Sequence, residues 1–329
     1  MPRIVRFHEK GGPEVLRIEE FEVPPPGPGE VSIAVKALGL NRAEIMFRSG
    51  RYVEDPVFPA RLGYEAAGIV SALGKGVTGF TTGDAVSVIP PLSITRWGTY
   101  GEVATVPAEF VVKHPDSLSW PEAAAVWMQY VTAYGALVEL AALRKGDFAV
   151  ITAASSSVGL AAIQIARMRG ATSIATTRTS AKKKALLDFG ADHVIASEEE
   201  GLAGRLRDIT RGAGPRVVFD PVGGPAFVPL TDAMAPGGIL IGYGALSREP
   251  TPFPLFSVLS KSLTLRGYVY KEVVRDDERR EKAKRFILEG LAAGALKPVI
   301  AKTFSFDQIV EAHRYLESNE QFGKVVVTI

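Results

Sequence analysis

The feature that most constrains the fold is an alternation of two kinds of segment between residues 148 and 243. Short apolar runs cover 148–152, 173–177, 193–195, 217–219 and 239–243. Segments with helical spacing of apolar residues separate them, over 158–169, 181–189, 202–210 and 226–233. Strands that alternate with helices of about ten residues are typical of βαβ units. The pattern therefore predicts a parallel sheet covered by helices.

The first 115 or so residues follow a different pattern. Short apolar or alternating runs are separated by Gly/Pro clusters, and they cover 4–7, 15–23, 31–40, 66–73, 85–89 and 102–106. Many short strands with frequent turns favour a barrel-like β domain. The tail resembles neither pattern, with a strand at 263–268, a charged helix at 273–293, a shorter helix near 307–317 and a strand at 324–329. A length of 329 residues suggests about two domains.

An apolar segment at 123–143 approaches the length that spans a bilayer. Gln129, Thr132 and Glu139 would be costly at its centre, and Ser119 and Glu122 precede it with the spacing of a capping box. We predict a buried helix, the alternative being a membrane span. The first residues show no apolar core of a signal peptide, so we expect a cytoplasmic protein.

Composition excludes several kinds of site. The chain has no cysteine, which removes disulfides, thiol nucleophiles, iron–sulfur clusters and cysteine-based zinc sites. A net charge of +2 gives no general reason to expect nucleic-acid binding. The four histidines lie far apart in sequence and form no metal-ligand motif, so we expect no metal.

The strongest chemical signal is the segment 150–166, where an apolar strand leads through a loop of small residues into a helix. Backbone N–H groups at such a helix start can approach a pyrophosphate closely. Ala154, Ser156 and Gly159 occupy the three positions of the G-x-G-x-x-G fingerprint, so only the last is glycine. The candidate phosphate-binding residues are Ser155, Ser156, Ser157, Val158 and Gly159. The alternative is an ordinary strand–turn–helix joint without a ligand.

The end of the next strand indicates which dinucleotide would bind. Sites that select NAD usually place Asp or Glu there, to bind the ribose 2′-hydroxyl. This chain has Thr177 and Arg178, followed by Lys182. Arginine suits a 2′-phosphate through charge-assisted hydrogen bonds. We therefore expect NADPH, the alternative being that these cations are a solvated helix start.

Two further loops follow strands of the predicted sheet. Asp220 and Val222 lie at the end of one strand, and Tyr243 lies at the end of the next. Loops at the carboxyl ends of parallel strands line the ligand crevice of such sheets. Val222 and Tyr243 are therefore further candidates for cofactor contact, although a structural turn would also explain both loops.

The order of a β domain, a nucleotide domain and a return to the first domain resembles the medium-chain dehydrogenase/reductase superfamily. Within it, the chain is similar to the zinc-independent quinone oxidoreductase branch. The segments that carry this resemblance extend over the whole chain, at 39–44, 48–52, 62–68, 131–134, 150–166 and 323–327. The resemblance implies an α/β protein, with a GroES-like β-rich catalytic domain and a Rossmann-type doubly wound parallel sheet. We expect the catalytic domain at 1–121 and 268–329, and the NADPH domain at 122–267.

The chain departs from the zinc alcohol dehydrogenases of the superfamily. Those enzymes have a cysteine in the stretch that matches 41–44, and a histidine where this chain has Tyr64. Without zinc there is no Lewis acid to polarise an alcohol or a carbonyl group. The remaining chemistry is hydride transfer to an acceptor that stabilises charge by conjugation, such as a quinone or an α,β-unsaturated carbonyl compound.

The resemblance also assigns roles to single residues. It places Asn41 and Tyr52 beside the nicotinamide, Asn41 to orient a ligand and Tyr52 to donate a hydrogen bond or proton, the alternative for Tyr52 being a packed aromatic ring. Thr132 would touch the nicotinamide edge, and Lys324 would contact the cofactor. Candidate substrate-pocket walls, for which core packing is the alternative, are Tyr64, Trp127 and Tyr130.

Three functions remain open at this stage. The chain is expected to be an NADPH-dependent quinone reductase, with its site in the cleft between the domains. The alternatives are an enone or enoyl-thioester reductase, and a non-catalytic NADPH-binding protein. The resemblance further implies a homodimer through an edge strand, for which Leu263–Gly267 is the candidate.

Overall fold

The computed structural model describes residues 1–329, which form two compact units. The first comprises Met1–Gln129 and Pro298–Ile329, and the second comprises Tyr130–Lys297. The boundaries predicted from the sequence lie earlier, at 121/122 and 267/268. The second unit thus includes 268–297, which the sequence analysis gave to the first domain.

Contacts inside the second unit explain the later boundary. The Tyr268 hydroxyl donates to the Val131 carbonyl oxygen at 3.3 Å. The Arg279 guanidinium lies 2.7 Å from the Glu139 carboxylate. These residues anchor the segment after 267 on the helical start of the second unit.

Strands and helices are numbered along the chain. The strands are β1 (Arg3–Phe7), β2 (Arg17–Glu20), β3 (Glu30–Gly39), β4 (Ala60–Arg61), β5 (Glu65–Leu73), β6 (Ala85–Val88), β7 (Val103–Pro107), β8 (Val111–Lys113), β9 (Phe148–Ile151), β10 (Thr172–Thr177), β11 (His193–Ala196), β12 (Val217–Asp220), β13 (Ile239–Gly242), β14 (Thr264–Gly267), β15 (Ile300–Ser305) and β16 (Lys324–Thr328). The helices are α1 (Arg42–Arg48), α2 (Trp120–Ala123), α3 (Trp127–Tyr134), α4 (Ser157–Met168), α5 (Lys183–Phe189), α6 (Leu202–Ile209), α7 (Phe227–Ala233), α8 (Leu255–Lys261), α9 (Lys271–Val274), α10 (Asp277–Ala292) and α11 (Ile309–Ser318).

The first unit is built on β-strands. Its larger sheet has the order β15-β16-β3-β5-β6-β8, with β7 also paired to β3, and a smaller sheet has the order β2-β1-β4. Helix α2 packs through alanines against β3, β5 and β16. Gly39 at the end of β3 permits this contact, because a Cβ there would lie 2.0 Å from the Ala124 carbonyl oxygen.

The second unit contains the predicted parallel sheet. Its six strands have the order β11-β10-β9-β12-β13-β14, and every neighbouring pair is parallel. This order is that of a doubly wound sheet, and the direction of winding reverses between β9 and β12. The predicted α/β fold class is confirmed, and the five apolar runs match β9–β13 to within one residue at each end.

One local prediction was wrong. The apolar segment 123–143 is not one helix: α2 ends at Ala123, α3 begins at Trp127, and a π-helical stretch covers Gly135–Leu140. The strand in the run 15–23 is shorter than that run, because β2 covers only Arg17–Glu20. No helix in the structure has the length and apolar character needed to cross a bilayer.

Candidate functional site

A buried ion pair lies in the first unit, where β5 and β16 begin. The Lys324 ammonium and the Glu65 carboxylate are in direct contact, and each side chain is 1% exposed. The second oxygen of Glu65 accepts hydrogen bonds from the backbone N–H groups of Trp127 and Met128, both at 3.1 Å. Glu65 therefore caps the start of α3, which explains why the predicted long helix is interrupted there.

Asn41 is joined to this ion pair. Its Oδ1 accepts a hydrogen bond from Lys324 Nζ at 2.6 Å. Its Nδ2 donates to the Gly39 carbonyl at 3.1 Å and lies 3.2 Å from Glu44 and 3.3 Å from Glu65. Since a side-chain amide has only two N–H donors, both are used inside the protein. Asn41 therefore has no spare donor for a ligand, and its Oδ1 is already bonded to Lys324.

Glu44 lies at the centre of a set of hydrogen-bond donors. Its carboxylate accepts from the backbone N–H of Asn41, from the backbone N–H of Tyr64 at 3.0 Å and from the Tyr100 hydroxyl at 2.8 Å. Burial raises the pKa of Glu44 to about 7, although the Lys324 ammonium and these hydrogen bonds act in the opposite direction. Glu44 thus fixes the backbone on which Tyr64 is carried.

Tyr52 and Tyr64 bring their hydroxyls together. The Tyr64 hydroxyl donates to the Tyr52 hydroxyl at 3.1 Å, and the two rings meet edge to face at 6.2 Å. Tyr64 is fully buried, whereas Tyr52 is partly exposed. Burial raises the pKa of Tyr52 to about 12, so this hydroxyl keeps its proton at neutral pH.

The loop of small residues in the second unit follows β9 and leads into α4. Ser156 caps the helix, and its hydroxyl accepts a hydrogen bond from the Gly159 N–H at 3.1 Å. A Cβ on Gly159 would lie 2.5 Å from the Ala154 carbonyl oxygen. The close approach of helix and strand expected for Gly159 is therefore present, and it leaves the loop backbone beside the helix N-terminus.

The candidate cations lie next to this loop. The Lys182 ammonium is 3.3 Å from the Ser155 hydroxyl, and the Ala154 N–H donates to the Thr176 carbonyl at 3.1 Å. Thr177 ends β10 and is partly buried, and the adjacent Arg178 is exposed. The structure thus brings the loop after β9 together with the positively charged end of β10.

The ends of β12 and β13 complete this edge of the sheet. Asp220 accepts hydrogen bonds from the backbone N–H groups of Val222 at 3.1 Å and Gly223 at 2.7 Å, and burial raises its pKa. Tyr243 stacks on Phe219 at 3.9 Å. Its hydroxyl lies beside Ser156 but has no hydrogen-bond partner, and burial raises its pKa.

A cavity of about 380 Å³ opens at the ends of β12, β13 and β14. Its lining includes Asp220 and four glycines, Gly223, Gly242, Gly244 and Gly267. The cavity lining includes these small residues, Gly159 packs closely against the Ala154 backbone, and the Tyr243 hydroxyl is unpaired. These features fit an extended ligand along the carboxyl ends of the strands. This is where dinucleotides bind doubly wound sheets.

Like Asn41, Tyr64 and Lys324, the predicted ligand-facing residues of α3 are buried. Trp127 and Tyr130 are each 1% exposed. The Trp127 indole N–H donates to the Ser87 hydroxyl at 2.8 Å, and the Tyr130 hydroxyl donates to Gln164 at 2.9 Å. Both have the contacts that the core-packing alternative requires. Thr132 lies buried on α3, in the same unit as Tyr130.

Neither Glu44 nor Glu65 was predicted as a site residue, whereas Lys324 was predicted to contact the cofactor. In the structure Lys324 contacts Asn41 and Glu65. A signal for Glu44 was present, because Asn41 and Glu44 have capping-box spacing at the start of α1. No cluster of three or more His, Cys, Asp or Glu side chains is arranged to hold a metal ion.

Comparisons with known proteins agree with the two units. Residues 27–116 match the family described as alcohol dehydrogenase GroES-like domain, and residues 157–289 match the family described as zinc-binding dehydrogenase. A quinone oxidoreductase of Salmonella typhimurium is 32% identical over 97% of both chains. A 2-haloacrylate reductase of a Burkholderia species is 30% identical over 98% of this chain and 97% of its own.

A solved structure extends the likeness to three dimensions. The crystal structure of Escherichia coli quinone oxidoreductase complexed with NADPH superposes with a TM-score of 0.91. It is 31% identical and covers 99% of this chain and 100% of its own. The similarity therefore extends across both units.

Proposed function

This chain belongs to the zinc-independent quinone oxidoreductase branch of the medium-chain dehydrogenase/reductase superfamily and is a nicotinamide-dependent oxidoreductase, and on that premise we propose that it reduces quinones with NADPH. One observation carries the proposal. The partly exposed Tyr52 hydroxyl lies 3.1 Å from the buried Tyr64 hydroxyl, and it would supply a hydrogen-bond donor to a substrate oxygen.

The residues present fit an NADPH molecule. Bound NADPH would supply the hydride. Ser155, Ser156 and Ser157, with Val158 and Gly159 in the first turn of α4, would hold the pyrophosphate through N–H and hydroxyl groups. Thr177, Arg178 and Lys182 would hold the 2′-phosphate. Val222 and Tyr243 would border the cofactor at the ends of β12 and β13.

Tyr52 has the properties of a hydrogen-bond donor to the substrate. When a quinone accepts a hydride, negative charge develops on an oxygen atom, and a positioned donor stabilises that charge. Because the pKa of Tyr52 is raised to about 12, its hydroxyl is protonated throughout the neutral range. Tyr52 can therefore hold the oxygen and then deliver a proton to it.

Reduction of a carbon–carbon double bond is the second candidate. The similarity to a 2-haloacrylate reductase favours it, because a haloacrylate carries a double bond conjugated to a carboxylate. Enones and enoyl thioesters share this conjugation. The same donor would then serve the enolate oxygen.

A substrate panel tests the proposal. Consumption of NADPH is measured with a benzoquinone, a naphthoquinone, an enone, an enoyl thioester and 2-chloroacrylate, and the products are identified after transfer of deuteride. We expect the quinones to have the highest kcat/KM. Faster turnover of the double-bond substrates would favour the second candidate. No turnover with any compound would favour a non-catalytic NADPH-binding protein.

The cofactor preference is tested separately. We expect NADPH to bind more tightly than NADH, and Arg178→Ala to reduce this preference at least tenfold, because a hydrogen bond to a charged group contributes about 1.5–3 kcal/mol. Lys184→Ala is the control, since Lys184 is an exposed lysine that pairs with Asp188. An unchanged preference in Arg178→Ala would contradict the assignment.

We further propose a cytoplasmic homodimer. Strand β14 is an edge of the parallel sheet, as the sequence analysis expected for this segment, and it pairs only with β13. Beside it in sequence, Phe253, Phe256 and Leu259 are 66%, 85% and 67% exposed. An unpaired edge strand and exposed apolar side chains are both features of association surfaces.

A further inference from the structure

The direction of the hydrogen bond between the two tyrosines has a chemical consequence. A phenolic hydroxyl has one proton to donate and can also accept hydrogen bonds. The Tyr64 hydroxyl donates a hydrogen bond to the Tyr52 oxygen at 3.1 Å. The proton of Tyr52 is therefore not needed for this contact and is available to another acceptor, and Tyr52 is the partly exposed member of the pair.

The position of Tyr64 is strongly determined. Its side chain is fully buried, and its backbone N–H donates to Glu44 at 3.0 Å. Glu44 is itself fully buried and held by Asn41 and Tyr100. These contacts hold Tyr64 in a fixed position. Tyr52, in contrast, lies in the segment between α1 and β4.

We propose that Tyr64 is a positioning residue for the reduction step, which aims the proton of Tyr52 at the substrate and stabilises the Tyr52 phenolate once that proton has left. This inference rests on the proposed role of Tyr52 as donor. It assigns to Tyr64 a task other than forming a wall of the substrate pocket.

Bound NADPH would supply a hydride, which carries the two electrons that reduce the acceptor. The acceptor oxygen gains the hydroxyl proton of Tyr52, whose O–H bond breaks and whose electron pair stays on the phenolic oxygen. The Tyr64 hydroxyl donates to that anionic oxygen, and a proton from solvent then restores Tyr52.

A double-mutant cycle with Tyr52→Phe and Tyr64→Phe tests the inference, because each change removes one hydroxyl and keeps the ring. We expect Tyr64→Phe to lower kcat about tenfold, the scale of one hydrogen bond to a charged oxygen, and to leave KM and NADPH affinity nearly unchanged. The solvent deuterium isotope effect on kcat should rise, since proton transfer becomes slower. In the Tyr52→Phe background, Tyr64→Phe should change kcat less than about twofold.

Tyr100→Phe is the matched control. It removes another buried hydroxyl that bonds Glu44 but does not contact Tyr52, so the isotope effect should stay at the wild-type value. Independent, multiplicative losses in the cycle, or an equal rise of the isotope effect in Tyr100→Phe, would overturn the inference. Fast turnover of Tyr52→Phe would instead reject the donor role of Tyr52. If Tyr52→Phe lowers kcat but Tyr64→Phe keeps the wild-type kcat, only the role of Tyr64 is rejected.

Discussion

At the scale of single residues, the ion pair of Lys324 and Glu65 is notable because both side chains are almost completely buried in the first unit. Both charges are removed from water, which is unfavourable unless each is paired and hydrogen-bonded. Here Glu65 also accepts two backbone N–H groups, and Lys324 also donates to Asn41. The arrangement therefore satisfies the charges and fixes the Asn41 amide at the same time.

Removing the lysine should be strongly destabilising. We expect Lys324→Met to lower the free energy of unfolding by about 3–5 kcal/mol, because Glu65 is left as an unpaired buried charge. Adding Glu65→Gln should recover part of this loss, since an amide oxygen can still cap α3. Urea unfolding measures both, with Lys75→Met at an exposed position as the control. A loss below about 1 kcal/mol would show that the pair is not important for stability.

His313 should make stability depend on pH. Burial and the neighbouring Arg48 guanidinium, which lies 2.9 Å from Nδ1, lower the pKa of His313 to about 3. Because the pKa of His313 is lower in the folded state, its contribution to the free energy of unfolding is complete above about pH 6.5. This contribution is lost as the pH falls toward 3. Glu44, whose pKa is raised to about 7, acts in the opposite sense, because its contribution is lost as the pH rises through 7.

Because the two dependences oppose each other, the measurement compares variants. The difference in unfolding free energy between wild type and His313→Gln should fall by about 2 kcal/mol from pH 7 to pH 5, at about 1.4 kcal/mol per pH unit below 6.5. Glu44→Gln should show a difference of the opposite sign. A pH-independent difference for His313→Gln would mean that the folded state accepts the charged imidazole.

These residues also show what sequence can and cannot predict. Asn41 and Tyr52 were identified because they lie in segments that resemble a family. Lys324 was identified too, but its partner Glu65 is 259 positions away, and spacing carries no information about such a pair. The hydroxyl contact of Tyr64 with Tyr52 likewise depends on the path of a loop that no periodicity describes.

At the scale of elements, the joint between β9 and α4 combines packing with ligand binding. Gly159→Ala should destabilise the second unit by about 1–3 kcal/mol, because its Cβ would overlap the Ala154 backbone. Binding of NADPH should weaken as well, since the helix N-terminus must move. Gly204→Ala in α6 is the control, because nothing lies within 4 Å of the added carbon, and it should be neutral or stabilising.

Thermal unfolding and NADPH titration measure this prediction. Equal stability of Gly159→Ala and wild type would mean that the helix can shift away from the strand without cost.

The sequence predicted the strands of this unit well, because fully buried parallel strands are continuous apolar runs. It failed at α3, where the break depends on the carboxylate of Glu65 from another strand.

At the scale of the whole molecule, the proposed homodimer can be measured directly. Sedimentation velocity should give a mass near twice the 35.2 kDa of one chain. Phe256→Glu places a charge on the exposed face of α8 and should shift the mass toward one chain. Leu187→Glu is the control, since α5 packs at β11, the opposite edge of the same sheet. A wild-type mass of one chain would reject the dimer.

The sequence predicts two units, as the structure has them, but the boundaries of the units differ. The change from short strands to alternating strands and helices marked the second unit. The compact unit ends later than the predicted domain, because α9 and α10 have no sequence pattern that says which unit they join. Contacts such as that of Arg279 with Glu139, 140 positions apart, decide this.

The place of β16 in the sheet has a consequence for protein synthesis. Strand β16 lies between β15 and β3, and it brings the lysine that neutralises Glu65. A ribosome makes residues 130–297 before it makes β16, so the inserted unit can fold while the first unit still lacks an inner strand. During that interval residues 37–39 of β3 lack their partner strand and Glu65 has no counter-ion. The nascent chain should therefore depend most on chaperones just before its last strand emerges.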